Sequence, residues 1–226
     1  MLGIGTWLAR IAVGFVLLSL ILVILLRFVP VTVTATMLLD DKVWENGLSR
    51  DWEPLSNIDR NMVRAAIAAE DGKFCEHRGF DAAAIANAAM RNMEGGRIRG
   101  GSTISQQTAK NVFLWQGGGY IRKGFEAWFT FLIETIWGKR RIMEVYLNVA
   151  ETGIATYGVE AGAQRYFRKS AASLTPTEAA RMAAALPLPK RRAVSNPSGF
   201  TRRYGNTIAA RIGVVRRDGL DGCVYR

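Results

Sequence analysis

A single long apolar run near the N-terminus constrains this chain more than any other feature. From Ile11 to Leu26 the sequence carries no charged residue, and Arg10 and Arg27 flank it on either side. Extended to residues 7–29, the run covers about 23 residues, which as a helix measure roughly 34 Å and cross a bilayer core. A cleaved signal peptide is the alternative, but its apolar core usually spans only about 7–15 residues. The run therefore predicts an uncleaved membrane anchor.

The rest of the chain predicts one globular domain on one side of the membrane. No later segment is long and apolar enough to span a bilayer again, and the remaining ~190 residues can bury one good hydrophobic core. We therefore expect an anchor and connector over residues 1–35 and a single domain over residues 36–226. Basic residues flank both ends of the apolar run, so the positive-inside rule barely decides the orientation.

The composition of the domain limits its partners and its chemistry. The formal net charge is +11, and residues 190–226 hold nine Lys or Arg against two Asp. A plain solvated surface fits this charge, as do an anionic membrane, a phosphate-bearing substrate or nucleic acid, and the anchor favours the membrane and the phosphate. His77 is the only histidine, which excludes a multi-histidine metal site. Cys75 and Cys223 are too few for a disulfide scaffold, and nothing in the sequence indicates that they pair.

Hydrophobic periodicity and capping residues predict a mainly α domain. Residues 31–39 are predicted to form a connector, either a strand or a linker, and from Ser56 onward the pattern is helical. The predicted helices run from a capping box at Ser56–Asp59 to about Glu70, from Asp81 to Gly95, from Ser102 or Thr103 to Phe113, from Tyr120 to Trp137, from Lys139 to Val149, and from Thr175 to Pro187. The triple glycine at residues 117–119 separates two of them.

Glu70 is the most informative single residue. On a helix, Val63, Ile67 and Glu70 share one face, so a carboxylate lies among apolar side chains. Burial there costs free energy and raises the pKa of the carboxyl group, which makes it a usable general base near neutral pH. A helix-end glutamate that reaches into solvent fits the same pattern.

Two further clusters carry polar chemistry. Residues 100–111 combine two glycines and hydroxyl side chains with a helix start, a geometry that binds anions, and Gln106 and Lys110 follow one turn apart. An ordinary capped helix explains them equally well, and no Gly-Lys-Ser/Thr run makes this a P-loop. The second cluster, Arg122, Lys123 and Glu126, has two interpretations. It can form a surface ion pair worth about 0.2–0.5 kcal/mol. Alternatively, the two cations bind a phosphate and the carboxylate binds a sugar or metal.

Five stretches recur together in an order that resembles the peptidoglycan glycosyltransferase family, and most of all its monofunctional members with a family 51 glycosyltransferase domain. They are Glu70–Asp81, Gly100–Asn111, Arg122–Glu126, Lys139–Asn148 and Glu178–Pro187. The likeness covers about residues 50–200. It implies a mainly α, lysozyme-like glycosyltransferase domain with one N-terminal transmembrane helix. It also implies a single-pass protein of the bacterial inner membrane with its catalytic domain on the periplasmic side.

The resemblance implies a reaction and a set of site residues. The enzyme would polymerise lipid II into β-1,4-linked glycan strands, with inversion and release of the polyprenyl pyrophosphate. Glu70 matches the family's base, which takes the proton of the acceptor 4-hydroxyl, and Glu126 matches the second catalytic glutamate, on the donor side. The implied substrate-binding residues are Lys110, Arg122 and Lys123 near the pyrophosphate, Ser102, Gln106, Gln107 and Asn111 along the donor cleft, and Lys73 beside the base.

The chain departs from the family pattern at one position and lacks one domain. Related enzymes usually carry an arginine eight residues after the motif lysine, where this chain has Gly118, so that pyrophosphate contact is either absent or supplied by Arg122. Larger relatives add a penicillin-binding transpeptidase domain with a Ser-x-x-Lys nucleophile. Neither that pattern nor Lys-Thr-Gly occurs here, so we expect glycan strands without cross-linking.

The expected partners are lipid II, the growing glycan chain and the bilayer, with cell-wall synthesis or division proteins as further candidates and no nucleic acid. No cofactor is expected to be required, and Mg²⁺ at the pyrophosphate is the one candidate ion.

Two other functions fit parts of the sequence. A membrane-anchored, lysozyme-like glycan hydrolase would use Glu70 as an acid and needs a second carboxylate about 5–10 Å away, for which Asp71 and Glu126 are the candidates. The many cations argue against it, because an uncharged glycosidic bond has less need of them. A non-catalytic basic adaptor explains the C-terminal charge but not a carboxylate on an apolar face.

Overall fold

The computed structural model of the chain describes residues 3–93 and 101–225, which are mainly helical, and this confirms the predicted fold class. Their α-helices are α1 Ile4–Phe28, α2 Ala35–Leu38, α3 Asp41–Asn46, α4 Arg60–Glu70, α5 Ala82–Met93, α6 Ile104–Phe113, α7 Gly119–Ile136, α8 Gly138–Val149, α9 Val159–Phe167, α10 Pro176–Ala185, α11 Gly199–Arg217 and α12 Gly222–Tyr225. Three short strands form one sheet in the order β1-β3-β2: β1 Ser49–Arg50, β2 Glu151–Gly153 and β3 Thr156–Tyr157. β1 runs parallel to β3 and β2 antiparallel to it.

Among the described helices, α1 alone is long and apolar enough to cross a membrane, and it fits the predicted anchor. Most of its side chains are exposed, but Ser19 and Val23 are buried against the domain. Trp128 Nε1 donates a hydrogen bond to Ser19 Oγ (3.1 Å), and Trp137 Nε1 donates to the backbone carbonyl of Val23 (2.7 Å). The second half of α1 therefore packs against α7, and the boundary placed at residue 35 stays a prediction.

Removal of residues 1–30 is expected to leave a helical domain that stays monomeric only in detergent. The deletion uncovers Trp128 and Trp137. With the already exposed ring of Phe125 they form an apolar patch that makes copies of the domain associate in water. Circular dichroism and size-exclusion chromatography with and without detergent measure this. A truncated protein that is monomeric in plain buffer would contradict it.

The connector prediction was wrong in part. Residues 35–38 form a helical turn, α2, rather than strand or linker, because Thr34 Oγ1 accepts a hydrogen bond from Met37 N (3.3 Å) and caps the turn. Met37 is fully buried, and Thr36 Oγ1 donates to the backbone carbonyl of Asn111 on α6 (2.9 Å). The connector therefore belongs to the packed domain.

The capping box predicted at Ser56 was also wrong. Residues 55–57 form a 3₁₀ turn, and the buried Ile58 follows in an extended conformation. Asp59 then caps α4 by accepting from Asn61 N at 2.7 Å. The predicted helix end at Glu70 is confirmed.

Two other predicted helix starts are confirmed, the first with Thr103 rather than Ser102 as its cap, and both are capping boxes. Thr103 and Gln106 exchange side-chain and backbone hydrogen bonds at the start of α6, and Thr175 and Glu178 do the same at α10. Asp81 Oδ1 accepts from Ala84 N (2.9 Å) at the start of α5, while the predicted end of that helix at Gly95–Gly96 lies outside the described residues.

The core is built around α8, which is buried on most of its sides; Ile142, Met143 and Leu147 are completely covered. Such a helix lies at the centre of a domain rather than on its surface. α6 contacts both α7 and α8, while α4 packs against α10 and α11. This packing brings the end of α4 and the start of α6 together, and it lays the first half of α7 beside them.

A disulfide joins two distant parts of the chain. Cys75, just after α4, bonds to Cys223 in α12, with the two Cα atoms 5.5 Å apart and 148 residues between them in sequence. Nothing in the sequence indicated this pairing, because it depends on where the C-terminus folds back.

Candidate active site

Glu70 lies partly buried at the last position of α4. Gln107 Nε2, on α6, donates a hydrogen bond to Glu70 Oε2 at 2.8 Å. Burial raises the pKa of Glu70 above its ordinary value and the Asp71 carboxylate adds to the rise, whereas the Gln107 bond and the charges of Arg192 and Lys110 oppose it. The balance leaves a carboxyl group whose proton affinity exceeds that of an exposed glutamate, as a general base requires.

Two cavities flank this carboxyl group. The larger, about 640 Å³, is lined by Gln107, Lys110 and Asn111 among others. The smaller, about 150 Å³, is lined by Glu70, together with Lys73 and Ser102. Glu70 lines only the smaller cavity, and its hydrogen bond to Gln107 links it to the wall of the larger one; we call this point the junction of the two cavities. The arrangement suits two ligands that meet at Glu70.

Asp71 is fully engaged in holding the turn that follows α4. Its carboxylate accepts from Ile104 N (3.0 Å) and lies 2.9 Å from His77 Nε2. His77 Nδ1 accepts from Gly79 N (3.1 Å), so the ring proton sits on Nε2 and is donated to Asp71. The pair ties this turn to the first residue of α6, as expected of a structural histidine.

Glu126 is buried on α7 with both oxygens paired. Arg122 donates to Oε2 at 2.6 Å, and Lys123 donates to Oε1. Lys123 also donates to Ser102 Oγ (3.1 Å) at the edge of the smaller cavity. Only 2% of Glu126 is exposed and it pairs with two cations, so its catalytic role stays a prediction.

Lys110 is a cation of the larger cavity that has no partner among the described residues. It is partly buried, lines the larger cavity, and its ammonium group makes no hydrogen bond or ion pair with the described residues. Burial lowers the pKa of Lys110, and the positive charges of Arg122 and Lys123 lower it further. The negative charges of Glu126 and Glu70 oppose this shift. Charges on α4 and on α7 both act on this ammonium group, which lines the larger cavity and can bind an anion there.

Gln106 is placed differently from the other predicted cleft residues. Its side chain closes the capping box with Thr103 and lines neither cavity, so its substrate contact stays a prediction. The sequence reasoning also missed residues on the wall of the larger cavity. There Asp40 accepts from Lys190 (2.6 Å) and from Tyr157 (2.8 Å), and burial raises the pKa of Glu151 to about 7.

Gly118 adopts a backbone that a side chain would strain. Its φ is +80°, and an added Cβ would lie 2.9 Å from both Arg122 Cβ and Trp115 Nε1. Arg122 itself donates to the carbonyl of Gly117 as well as to Glu126. The loop thus leaves no room for the arginine that related enzymes carry.

Gly118→Arg is therefore expected to destabilise the protein by about 1–2 kcal/mol from the left-handed backbone alone, with the close contacts adding to it. The measurement is thermal unfolding of the variant beside Gly72→Arg, a glycine with nothing within 4 Å of an added Cβ. A Gly118 variant as stable as the wild type would show that the loop rearranges freely.

Mg²⁺ at this site stays a prediction. In residues 3–93 and 101–225, no three His, Cys, Asp or Glu side chains converge as ligands for a metal ion. The carboxylate nearest the cations, Glu126, already has both oxygens paired.

A ligand that fills both cavities is long, and it meets a basic residue on one side and a carboxyl base in the middle. Together with the anchor helix, this geometry suits a membrane-associated glycosyltransferase. The model of the Transglycosylase family matches residues 39–212, and the chain belongs to that family of peptidoglycan glycosyltransferases, with their lysozyme-like domain as predicted.

Curated relatives agree with this family. A biosynthetic peptidoglycan transglycosylase of Caulobacter vibrioides is 55% identical over 202 residues, which cover 89% of this chain and 88% of that protein. Proteins of the same name are 45% identical in Rhodospirillum centenum (96% and 94% covered) and 48% identical in Pseudomonas syringae pv. tomato (84% and 83% covered). The predicted family and enzyme class are confirmed.

Proposed function

We propose that this enzyme polymerises lipid II, the lipid-linked disaccharide of peptidoglycan, into β-1,4-linked glycan, inverting the donor's anomeric carbon and releasing the polyprenyl pyrophosphate. The observation that carries this proposal is the position of Glu70. It has a raised pKa and lies at the junction of two cavities, the larger of which is lined by Lys110, a cation without a partner among the described residues. A single cavity would suit a hydrolase, whereas a transferase must hold a donor and an acceptor at once.

Glu70 acts as the general base. Its carboxylate takes the proton from the 4-hydroxyl of the acceptor sugar, and the oxygen attacks the anomeric carbon of the donor. The bond from that carbon to the pyrophosphate breaks, and the pyrophosphate leaves with the electron pair. The hydrogen bond from Gln107 orients the carboxylate so that one oxygen stays free for the acceptor.

Lys110 stabilises the departing pyrophosphate. Negative charge grows on the leaving oxygen as the bond breaks, and a cation already placed in a water-poor cleft stabilises it without reorganisation. Lys110 meets this need because it is partly buried and otherwise unpaired. Glu126 holds Arg122 and Lys123 beside it, so these cations are positioned before the substrate arrives.

The neighbouring carboxylates favour transfer over hydrolysis. Glycoside hydrolysis needs a second carboxyl group that is free to act on water or on the sugar. Asp71 is committed to His77 and Ile104, and Glu126 is committed to two cations. Neither is available for that role.

The disulfide supports a periplasmic location. Disulfides persist in oxidising compartments and are rare in the cytosol. With α1 in the inner membrane, the Cys75–Cys223 bond favours a catalytic domain on the outer side of that membrane, where the lipid-linked substrate is presented.

The test is incubation of the purified enzyme with lipid II, and separately with finished glycan strands, followed by sizing on a gel. The proposal predicts a ladder of lengthening strands from lipid II and no change in finished strands. Shortened strands would show a hydrolase, and no change in either substrate would leave a binding protein.

The pH dependence of the reaction is expected to be a narrow bell. Glu70 must be ionised, so activity falls as the pH drops through its raised pKa. Lys110 must be charged, so activity falls again as the pH rises through its lowered pKa. Measurement of kcat/KM across the pH range checks both limbs, and Lys110→Arg should move the alkaline limb upward. An acid limb at the ordinary glutamate pKa of about 4.3 would contradict the account.

A further inference from the structure

The C-terminal residues 218–225 lie beyond the family-matched residues 39–212, yet they fasten onto the part of the fold that carries Glu70. We call this segment the C-terminal clasp. It comprises the turn after α11 and the short helix α12.

Three contacts fix the clasp. Cys223 forms the disulfide with Cys75. Asp221 Oδ2 accepts from Arg64 Nε of α4 at 2.8 Å, in an ion pair whose side chains are only 9% and 14% exposed. The fully buried Val224 accepts through its backbone carbonyl from Arg140 of α8 at 3.2 Å. The clasp therefore bridges the helix of the candidate base and the central helix of the domain.

The disulfide reaches the turn that follows Glu70 directly. Within this turn Phe74 N donates to the carbonyl of Asp71 (3.0 Å), and Glu76 N donates to the carbonyl of Lys73 (2.8 Å). Cys75 lies between these bonds, while the Asp71–His77 pair holds the turn on the side of α6. The turn is thus tied at one side to α6 and at the other to the clasp.

We propose that the clasp is a positioning device that holds Glu70 at the junction of the two cavities, and that full turnover requires its disulfide. This inference rests on the proposed role of Glu70 as the base. On closure, the two thiols lose two protons and two electrons and form one S–S bond. The electrons pass to a protein disulfide of the oxidising compartment, which becomes a dithiol. The enzyme therefore gains full activity only after its domain has crossed the membrane.

The test compares the full-length protein with Cys75→Ser/Cys223→Ser in detergent, at a temperature where circular dichroism shows both to be folded. We expect kcat to fall about tenfold or more with KM little changed, because small displacements of a catalytic group cost up to ~10²-fold in rate. Hydrogen exchange at Phe74 and Glu76 should be faster in the variant. A reductant should lower the wild-type kcat equally and leave the double variant unaffected.

Arg217→Gln is the matched control, because it removes an exposed ion pair with Asp218, the first residue of the clasp, and leaves the three contacts that fix the clasp unchanged. It should keep the wild-type kcat. If the double variant does not fold, the wild type reduced in its folded state gives the same comparison.

An unchanged kcat and unchanged exchange in the folded, opened protein would overturn the proposal. Failure of the proposed function would look different, since oxidised wild type would then make no glycan, while the exchange at Phe74 and Glu76 would still report on the clasp.

Discussion

Glu70→Gln is expected to lower the turnover of glycan polymerisation by about two to four orders of magnitude, because the variant keeps the shape of the side chain and removes the base. Gln107 can still bond to the new amide oxygen, so the cleft should keep its form. Initial rates of lipid II consumption measure the loss, and KM should change far less than kcat.

The stability of this variant separates lost chemistry from lost folding. Burial raises the pKa of Glu70 in the folded state, so the stability linked to this group is present at low pH and is lost as the pH rises through the raised pKa. A neutral glutamine avoids that loss, and Glu70→Gln should melt at or above the wild-type temperature at pH 7. Glu45→Gln, an exposed glutamate on α3, is the matched control and should keep full turnover. If Glu70→Gln kept most of the wild-type activity, Glu70 would not be the general base.

Lys110→Met is expected to lower kcat tenfold or more, with a smaller effect on KM. The reason is that charge on the leaving pyrophosphate grows toward the transition state, where an unpaired ammonium group acts most strongly. Methionine fills the same space without charge and spares the cleft the cost of a partly buried cation, so the fold should be kept.

Lys42→Met is the control for the loss of one positive charge, since Lys42 is exposed on α3 and its one ion pair within residues 3–93 and 101–225 is with Glu45. It should leave kcat unchanged. If Lys110→Met raised KM and left kcat alone, Lys110 would serve in binding rather than in the departure of the pyrophosphate.

Local chemistry made much of the fold predictable. The capping boxes at Thr103 and Thr175 depend only on residues three apart, and the apolar faces of α4 and α8 follow from helical periodicity. The capping box predicted at Ser56 was wrong because the burial of Ile58 keeps the chain extended there. The helix therefore begins only after Asp59, which caps it. A tertiary requirement outweighed a local motif.

The candidate site was predictable in its residues more than in its contacts. Glu70 was visible as a carboxylate on an apolar face, but its bond to Gln107 depends on how α4 meets α6. The pairing of Cys75 with Cys223 spans 148 residues and depends on the path of the C-terminus. The sequence shows that Gly118 stands where related enzymes carry an arginine. The positive φ that disfavours a side chain there is visible only in the structure.

The most direct test of lipid II polymerisation is the ratio of pyrophosphate released to disaccharide incorporated. The wild-type enzyme acts on doubly labelled lipid II, and both the disaccharide incorporated into glycan and the polyprenyl pyrophosphate released are counted. We expect one pyrophosphate to be released for each disaccharide added, through new β-1,4 bonds only, and both counts to be abolished together in Glu70→Gln. Release of pyrophosphate with free disaccharide and no chain growth would contradict it, because water rather than a second sugar would then be the acceptor.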